Sequence, residues 1–139
     1  MATVEALAAL GWEEADERLA EAWSEHARLE AALTGLRRAL KDPPKALGAA
    51  SDAALLLRQA LEAALSARGL GSIGRTGSVL RYDPALHVME RGEAQAEAGA
   101  QVRVVAPGVL RAGEVREAVR RASVRPVRRR TAAMGGAAR

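Results

Sequence analysis

An apolar stripe with a seven-residue period runs through the first forty residues and constrains the fold more than any other feature. With Trp12 at heptad position a, the a positions are Trp12, Leu19, His26, Leu33 and Leu40, and the d positions are Ala15, Ala22, Leu29 and Leu36. Every one except His26 is apolar. This pattern is typical of a coiled-coil-like helix, which must bury its stripe against a partner. The partner is another copy of the chain, a second helix, or both.

His26 interrupts the stripe, and two interpretations are open. A histidine there could bind a ligand or titrate near neutral pH. A single polar residue at an a position more often sets the register or the oligomeric state. We interpret His26 in the second way.

A second helix is predicted after a proline pair. Asp42-Pro43-Pro44 ends the first helix, because proline lacks an amide hydrogen and disfavours helix at the preceding residue. We predict a short loop over Gly48–Ser51 and a helix that Ser51 or Asp52 caps and that runs to about Arg68. A short connection predicts that the two helices lie antiparallel, so that two chains could form a four-helix bundle.

The glycine-rich stretch 69–77 matches a nucleotide-binding pattern by letters only. Gly69-Leu70-Gly71-Ser72-Ile73-Gly74 reads G-x-G-x-x-G. In a dinucleotide site the glycines follow a strand and open a helix, whereas here they follow a helix. We therefore predict a flexible hinge and no bound nucleotide.

The second half of the chain predicts a small β domain. Short stretches of β-like sequence are separated by glycine or proline. They are Ser78–Tyr82, Leu86–Glu90, Gln101–Val105, Val109–Leu110, Glu114–Val119 and Ser123–Val127. The predicted fold class is therefore α+β. It comprises a helical dimerisation region (1–68), the hinge (69–77), a β head (78–127) and a disordered arginine-rich tail (128–139).

Composition argues against several functions. The chain has no cysteine and two histidines, too few for a zinc site of these ligands, and no triad or paired-carboxylate motif is present. We expect no enzymatic activity, metal or cofactor. No segment approaches the roughly 20 apolar residues of a membrane span, so we expect a cytoplasmic protein without a membrane partner.

The net charge of +4 is concentrated at the C-terminal end, where eight arginines and one acidic residue follow Gly113-Glu114. Such an end could bind nucleic acid. No aromatic residues are interleaved with these arginines, so nucleic acid is not the expected partner.

Four segments together resemble one family. Leu33–Leu40 (L-T-G-L-R-R-A-L) is similar to the end of the long helix of GrpE proteins, and Arg81–His87 (R-Y-D-P-A-L-H) resembles the F-D-P-N-x-H segment that opens their β head. Val105–Val109 lies where the family has a V-x-Q-K-G-Y turn. Val119–Val124 resembles its closing L-R-P-A-x-V strand. The order and spacing agree over about residues 25–127.

The resemblance implies a dimeric nucleotide-exchange factor for a DnaK-type chaperone, which binds the open state of the chaperone so that ADP leaves. It implies that Tyr82, Asp83, Pro84 and His87 shape the head, with His87 as a structural hydrogen-bonding residue. The implied chaperone contacts, around an exposed turn at Pro107-Gly108, are Pro107, Gly108, Val109, Gly113, Arg120 and Val124. The implied dimer or bundle residues are Leu19, Leu29, Leu33, Leu36, Leu40, Leu57 and Leu61.

The chain departs from the family pattern at Pro107, Val109, Glu114 and Arg121. The departures at Pro107, Val109 and Glu114 motivate an alternative, a GrpE-like scaffold or interaction module without exchange activity. A further alternative is a nucleic-acid-binding protein that uses the arginine-rich end.

Overall fold

The computed structural model describes residues 4–113 and 115–127, with side chains from residue 11 onward. The fold is α+β, with two helices followed by short strands. The helices are α1 (Val4–Ala39) and α2 (Lys45–Ala67). The strands are β1 (Leu70–Ile73), β2 (Val79–Arg81), β3 (His87–Met89), β4 (Gln101–Ala106), β5 (Gly108–Arg111), β6 (Glu117–Arg120) and β7 (Ala122–Pro126).

The helices end and begin at the proline pair. α1 ends at Ala39, and Pro44, in an extended conformation with ψ 152°, is the N-cap residue of α2. The prediction of a loop over Gly48–Ser51 is wrong, because these residues are helical. Ser51 caps nothing and instead donates its hydroxyl to the carbonyl of Leu47, one turn earlier, at 3.0 Å. α2 ends before Gly69, whose φ of +72° suits glycine at a helix C-terminus.

α1 uses a wider face than the heptad stripe. Asp16, Ala20, Trp23 and His26 are buried on it. These residues contact both α2 and the β strands, so the buried face spreads beyond the a and d positions. Several predicted seam residues are left exposed in the single chain, namely Leu29 (51%), Leu36 (46%), Leu40 (40%) and Leu57 (51%).

The strands form two sheets. The inner sheet has the order β1-β5-β6, and the outer sheet has the order β2-β4-β7-β3, in which only the β3–β7 pair is parallel. Neighbouring residues of the inner sheet point to opposite sides. Val109 packs with Ala20, Trp23 and Leu65 of the helices, while Leu110 packs against the core of the outer sheet. The inner sheet is therefore a middle layer between the helices and the outer sheet.

Residues 70–73 form a strand where a hinge was predicted. β1 pairs with β5 along its whole length, and Leu70 and Ile73 are buried. Leu70 packs with the helices and Ile73 with the outer sheet. Because residues three apart in a strand point to opposite sides of the sheet, this spacing lets β1 contribute one apolar side chain to the core on each side. The predicted disordered tail, 128–139, lies outside the described residues.

Candidate partner-binding site

The Tyr82–His87 segment forms a closed turn between β2 and β3. The carboxylate Oδ1 of Asp83 accepts a hydrogen bond from the amide of Ala85 at 2.9 Å. The amide of Asp83 in turn donates to Nδ1 of His87 at 2.9 Å, and the amide of His87 donates to the carbonyl of Asp83 at 2.8 Å. The Tyr82 ring lies 6.1 Å from the imidazole. Tyr82 and His87 are buried, whereas Asp83 and Pro84 are exposed.

The imidazole of His87 acts as an acceptor in this turn, which requires Nδ1 to be unprotonated. Burial lowers the pKa of His87 from its ordinary value of 6.5, and the nearby charge of Asp83 only partly opposes that effect. The neutral ring and the hydrogen bond therefore favour each other. His87 is thus buried and hydrogen-bonded within the turn.

The Pro107-Gly108 link is buried, so the prediction of an exposed turn there is wrong. Pro107, Gly108 and Val109 are all buried. They carry the chain from the outer sheet to the inner sheet beneath α1, where the Ser24 hydroxyl donates to the carbonyl of Pro107 at 2.6 Å. The apolar run V-V-A-P-G-V, which no polar residue interrupts, is the sequence signal that this link is internal.

Gly108 is required by a close backbone approach. A Cβ atom at this position would lie 2.2 Å from the carbonyl oxygen of Arg120 and 2.5 Å from the amide nitrogen of Ala122. Only glycine lets the β6–β7 connection pass at this distance. Gly108 thus permits the close approach of β5 to the β6–β7 connection, and it is buried and offers no surface to a partner.

The remaining implied contacts divide between core and surface. Val124 is fully buried in the outer sheet, so it too is not a surface contact. Gly113 and Arg120 are exposed on the β5–β6 hairpin. Val115, at the tip of the same hairpin, is 81% exposed and was missed by sequence reasoning. The sequence signal for this exposure was the position of Val115 between two charged residues, Glu114 and Arg116, in a short turn. This hairpin is the exposed part of the candidate site.

A carboxylate that sequence reasoning also missed joins the helices to the head. Asp16, buried on α1, accepts hydrogen bonds from Nε of Arg68 after α2 and from Nη2 of Arg111 on β5, the latter at 2.7 Å. Burial raises the pKa of Asp16, but the hydrogen bonds and charges of the two arginines outweigh it and hold that pKa below its ordinary value of 3.8. The ion pairs link α1 to the end of α2 and to β5, and so help to set the orientation of the helices relative to the β strands.

His26 is buried between the two helices. Its Nε2 atom donates to the carbonyl of Ala54 on α2 at 2.7 Å and lies 3.3 Å from the carboxylate of Glu30. Since a carbonyl can only accept, Nε2 carries a proton. This contact sets how α1 and α2 align. Among the described residues, no group of three or more His, Cys, Asp or Glu side chains could hold a metal ion.

The chain matches no protein-family model, and no curated protein or solved structure is significantly similar to it. In the described part of the chain, neither helix is both long and apolar enough to cross a membrane.

Proposed function

We propose that this protein is a GrpE-like co-chaperone that promotes ADP release from a DnaK-type chaperone. The observation that carries the proposal is the Tyr82–His87 turn, which lies between β2 and β3 of a β head that follows a two-helix hairpin. The resemblance of the R-Y-D-P-A-L-H segment and the order of the elements both support the proposal. The activity needs no reacting side chain, because a protein that binds the open chaperone better than the closed one shifts the population toward the open state.

The proposed contact surface is the β5–β6 hairpin, with Gly113, Val115 and Arg120. Val115 at the hairpin tip offers an apolar anchor, and Arg120 at the far end of β6 offers a charged group for an acidic cleft. The proposed assembly is a homodimer that covers Leu29, Leu36, Leu40 and Leu57. These side chains are exposed in the single chain, and apolar faces of this kind are typical of interfaces.

Stopped-flow release of a fluorescent ADP analogue from the DnaK-type chaperone of the same organism tests the proposal. We expect the protein to accelerate release and the Val115→Glu/Arg120→Glu variant to lose that acceleration. The matched control is Leu56→Glu/Arg91→Glu, which changes one exposed apolar residue and one exposed arginine outside the hairpin. Equal loss in both variants would contradict the assigned surface, and no acceleration by the unaltered protein would refute exchange.

A binding measurement checks the same proposal independently. By linkage, ADP must weaken the affinity of the chaperone for this protein by the factor by which the protein weakens ADP binding. Titrations by calorimetry with and without saturating ADP would measure that factor.

The second candidate is a scaffold that binds without driving exchange. The burial of Pro107, Gly108 and Val109 favours it, because the head then exposes less of the implied contact surface. Chaperone binding of equal affinity with and without ADP, together with unchanged ADP release, would support the scaffold.

A further inference from the structure

The solvent-facing side of the outer sheet carries a row of cations. Side chains alternate along its strands, so that Val102, Val104 and Val124 enter the core while their neighbours point away from it. We call the exposed side the basic face. It comprises Arg81 on β2, Gln101 and Arg103 on β4, and Arg125 on β7, with Val79 beside Arg103.

The charge of the basic face is uncompensated by its own strands. None of the four strands contains an acidic residue. Glu90 is the acidic residue nearest to β3 along the chain. Its carboxylate accepts two hydrogen bonds of 3.0 Å from Arg28 of α1. Arg103 donates one Nη1 hydrogen bond to the carbonyl of Gly77 at 2.7 Å. Within residues 11–113 and 115–127, the guanidinium groups of Arg81 and Arg125 make no hydrogen bond or ion pair.

Arg103 and Arg125 lie directly opposite each other on paired strands. Like charges in this arrangement destabilise a sheet. The sequence thus places two like charges opposite each other at exposed positions, where a neutral residue would stabilise the sheet as well or better. Such positions are where function is expected. An anion placed between the two guanidinium groups would turn their repulsion into attraction, and the planar fork of arginine matches phosphate oxygens.

We propose that the basic face binds the phosphate backbone of nucleic acid. Charge complementarity supports this occupant, since three cations on one sheet surface fit a polymer that carries a phosphate at every nucleotide. The sequence also continues from β7, after Val127, into three consecutive arginines, 128–130. A protein partner would need apolar anchors to bind well, and Val79 is the only apolar residue exposed in this row. The arginines of the face contact phosphates, which carry no sequence information, so binding is independent of sequence.

Fluorescence anisotropy with a labelled single-stranded RNA of 20 nucleotides, titrated at several salt concentrations, tests the proposal. The triple variant Arg81→Gln/Arg103→Gln/Arg125→Gln should bind on the order of tenfold more weakly at low salt. Its plot of log K against log salt should be shallower by about 2, since three phosphate contacts are lost. The matched control is Arg18→Gln/Arg37→Gln/Arg38→Gln, which removes three exposed arginines of α1 and should bind like the unaltered protein.

Four outcomes would overturn the proposal. The first two are that the protein does not bind the RNA even at low salt, and that both triple variants lose RNA affinity equally. The third is that the face variant keeps its full RNA affinity while deletion of residues 128–139 abolishes binding. The fourth is that polyglutamate or anionic vesicles compete with the RNA equally strongly. Circular dichroism of both variants confirms that each is folded. The proposal does not depend on exchange activity, which the ADP-release assay measures separately.

Discussion

At the scale of single residues, Asp16 joins α1 to the end of α2 and to β5 through its hydrogen bonds with Arg68 and Arg111. We expect Asp16→Asn to destabilise the protein by about 2 kcal/mol at neutral pH, because Arg68 and Arg111 lose a buried counter-ion. These arginines are about one-third exposed, which keeps the cost below that of a fully buried pair. Urea denaturation measures the difference, and Asp52→Asn, on an exposed position of α2, is the control.

The same residue predicts a pH dependence. The pKa of Asp16 lies below 3.8 in the folded protein, so its stabilising contribution is fully present above pH 3.8 and declines as the pH falls through the folded value. The stability difference between the unaltered protein and Asp16→Asn should therefore shrink on acidification below about pH 4. A difference that stays constant down to pH 2 would contradict the assigned ion pair.

Gly108 provides a second prediction at this scale. Gly108→Ala should cost about 3 kcal/mol or more, because the new methyl group meets backbone atoms that cannot rotate away. Gly71→Ala, on the neighbouring strand β1 with no atom within 4 Å of the added Cβ, should change stability by less than about 1 kcal/mol. Thermal denaturation compares the two, and equal effects would show that the close approach is absent.

Single residues were the hardest part of the site to predict from sequence. Asp16 sits within the acidic run E-E-A-D-E-R, where nothing distinguishes it from its solvated neighbours. Its partner Arg111 is 95 residues away, and only the folded chain brings the two together. The local hydrogen bonds of Asp83 and His87, four residues apart, lie within the reach of sequence reasoning.

At the scale of elements, the exposed leucines of α1 decide the oligomeric state. Leu29→Gln/Leu36→Gln should shift a dimer to monomer while the fold persists, because both side chains are about half exposed within one chain. Sedimentation velocity over a range of concentrations measures this shift. The control Leu55→Gln/Leu56→Gln replaces two exposed leucines outside the predicted seam and should leave the dimer intact. An unaltered protein that is monomeric throughout would refute the proposed dimer.

Most strands were predicted well where glycine or proline marks their ends, whereas the start of α2 after Pro44 was not. Six strands fall close to the predicted stretches, and α1 stops before Pro43 as expected. β1 was missed because two of the four residues in 70–73 are small and polar or lack a side chain, so the stretch resembles a linker. Its strand conformation depends on pairing with β5, a tertiary contact that local composition does not encode.

At the scale of the whole molecule, the helices and the head share a core. A fragment containing only residues 78–127 lacks β1 and most of the residues that bury Val109, namely those of the helices and Leu70. We expect this fragment to be unfolded, with poor dispersion in its NMR spectrum, whereas residues 11–127 fold. A well-dispersed spectrum from the fragment would show that the head is independent.

The long-range Asp16–Arg111 ion pair has a consequence for biosynthesis. Its partners are 95 residues apart, so a ribosome adding about 5–20 residues per second makes Arg111 roughly 5–19 s after Asp16. During that interval the helices are finished, but the strand that covers Ala20, Trp23 and Leu65 is not yet made. The nascent chain therefore exposes an apolar helical surface for seconds, and exposed apolar surface of this kind favours aggregation.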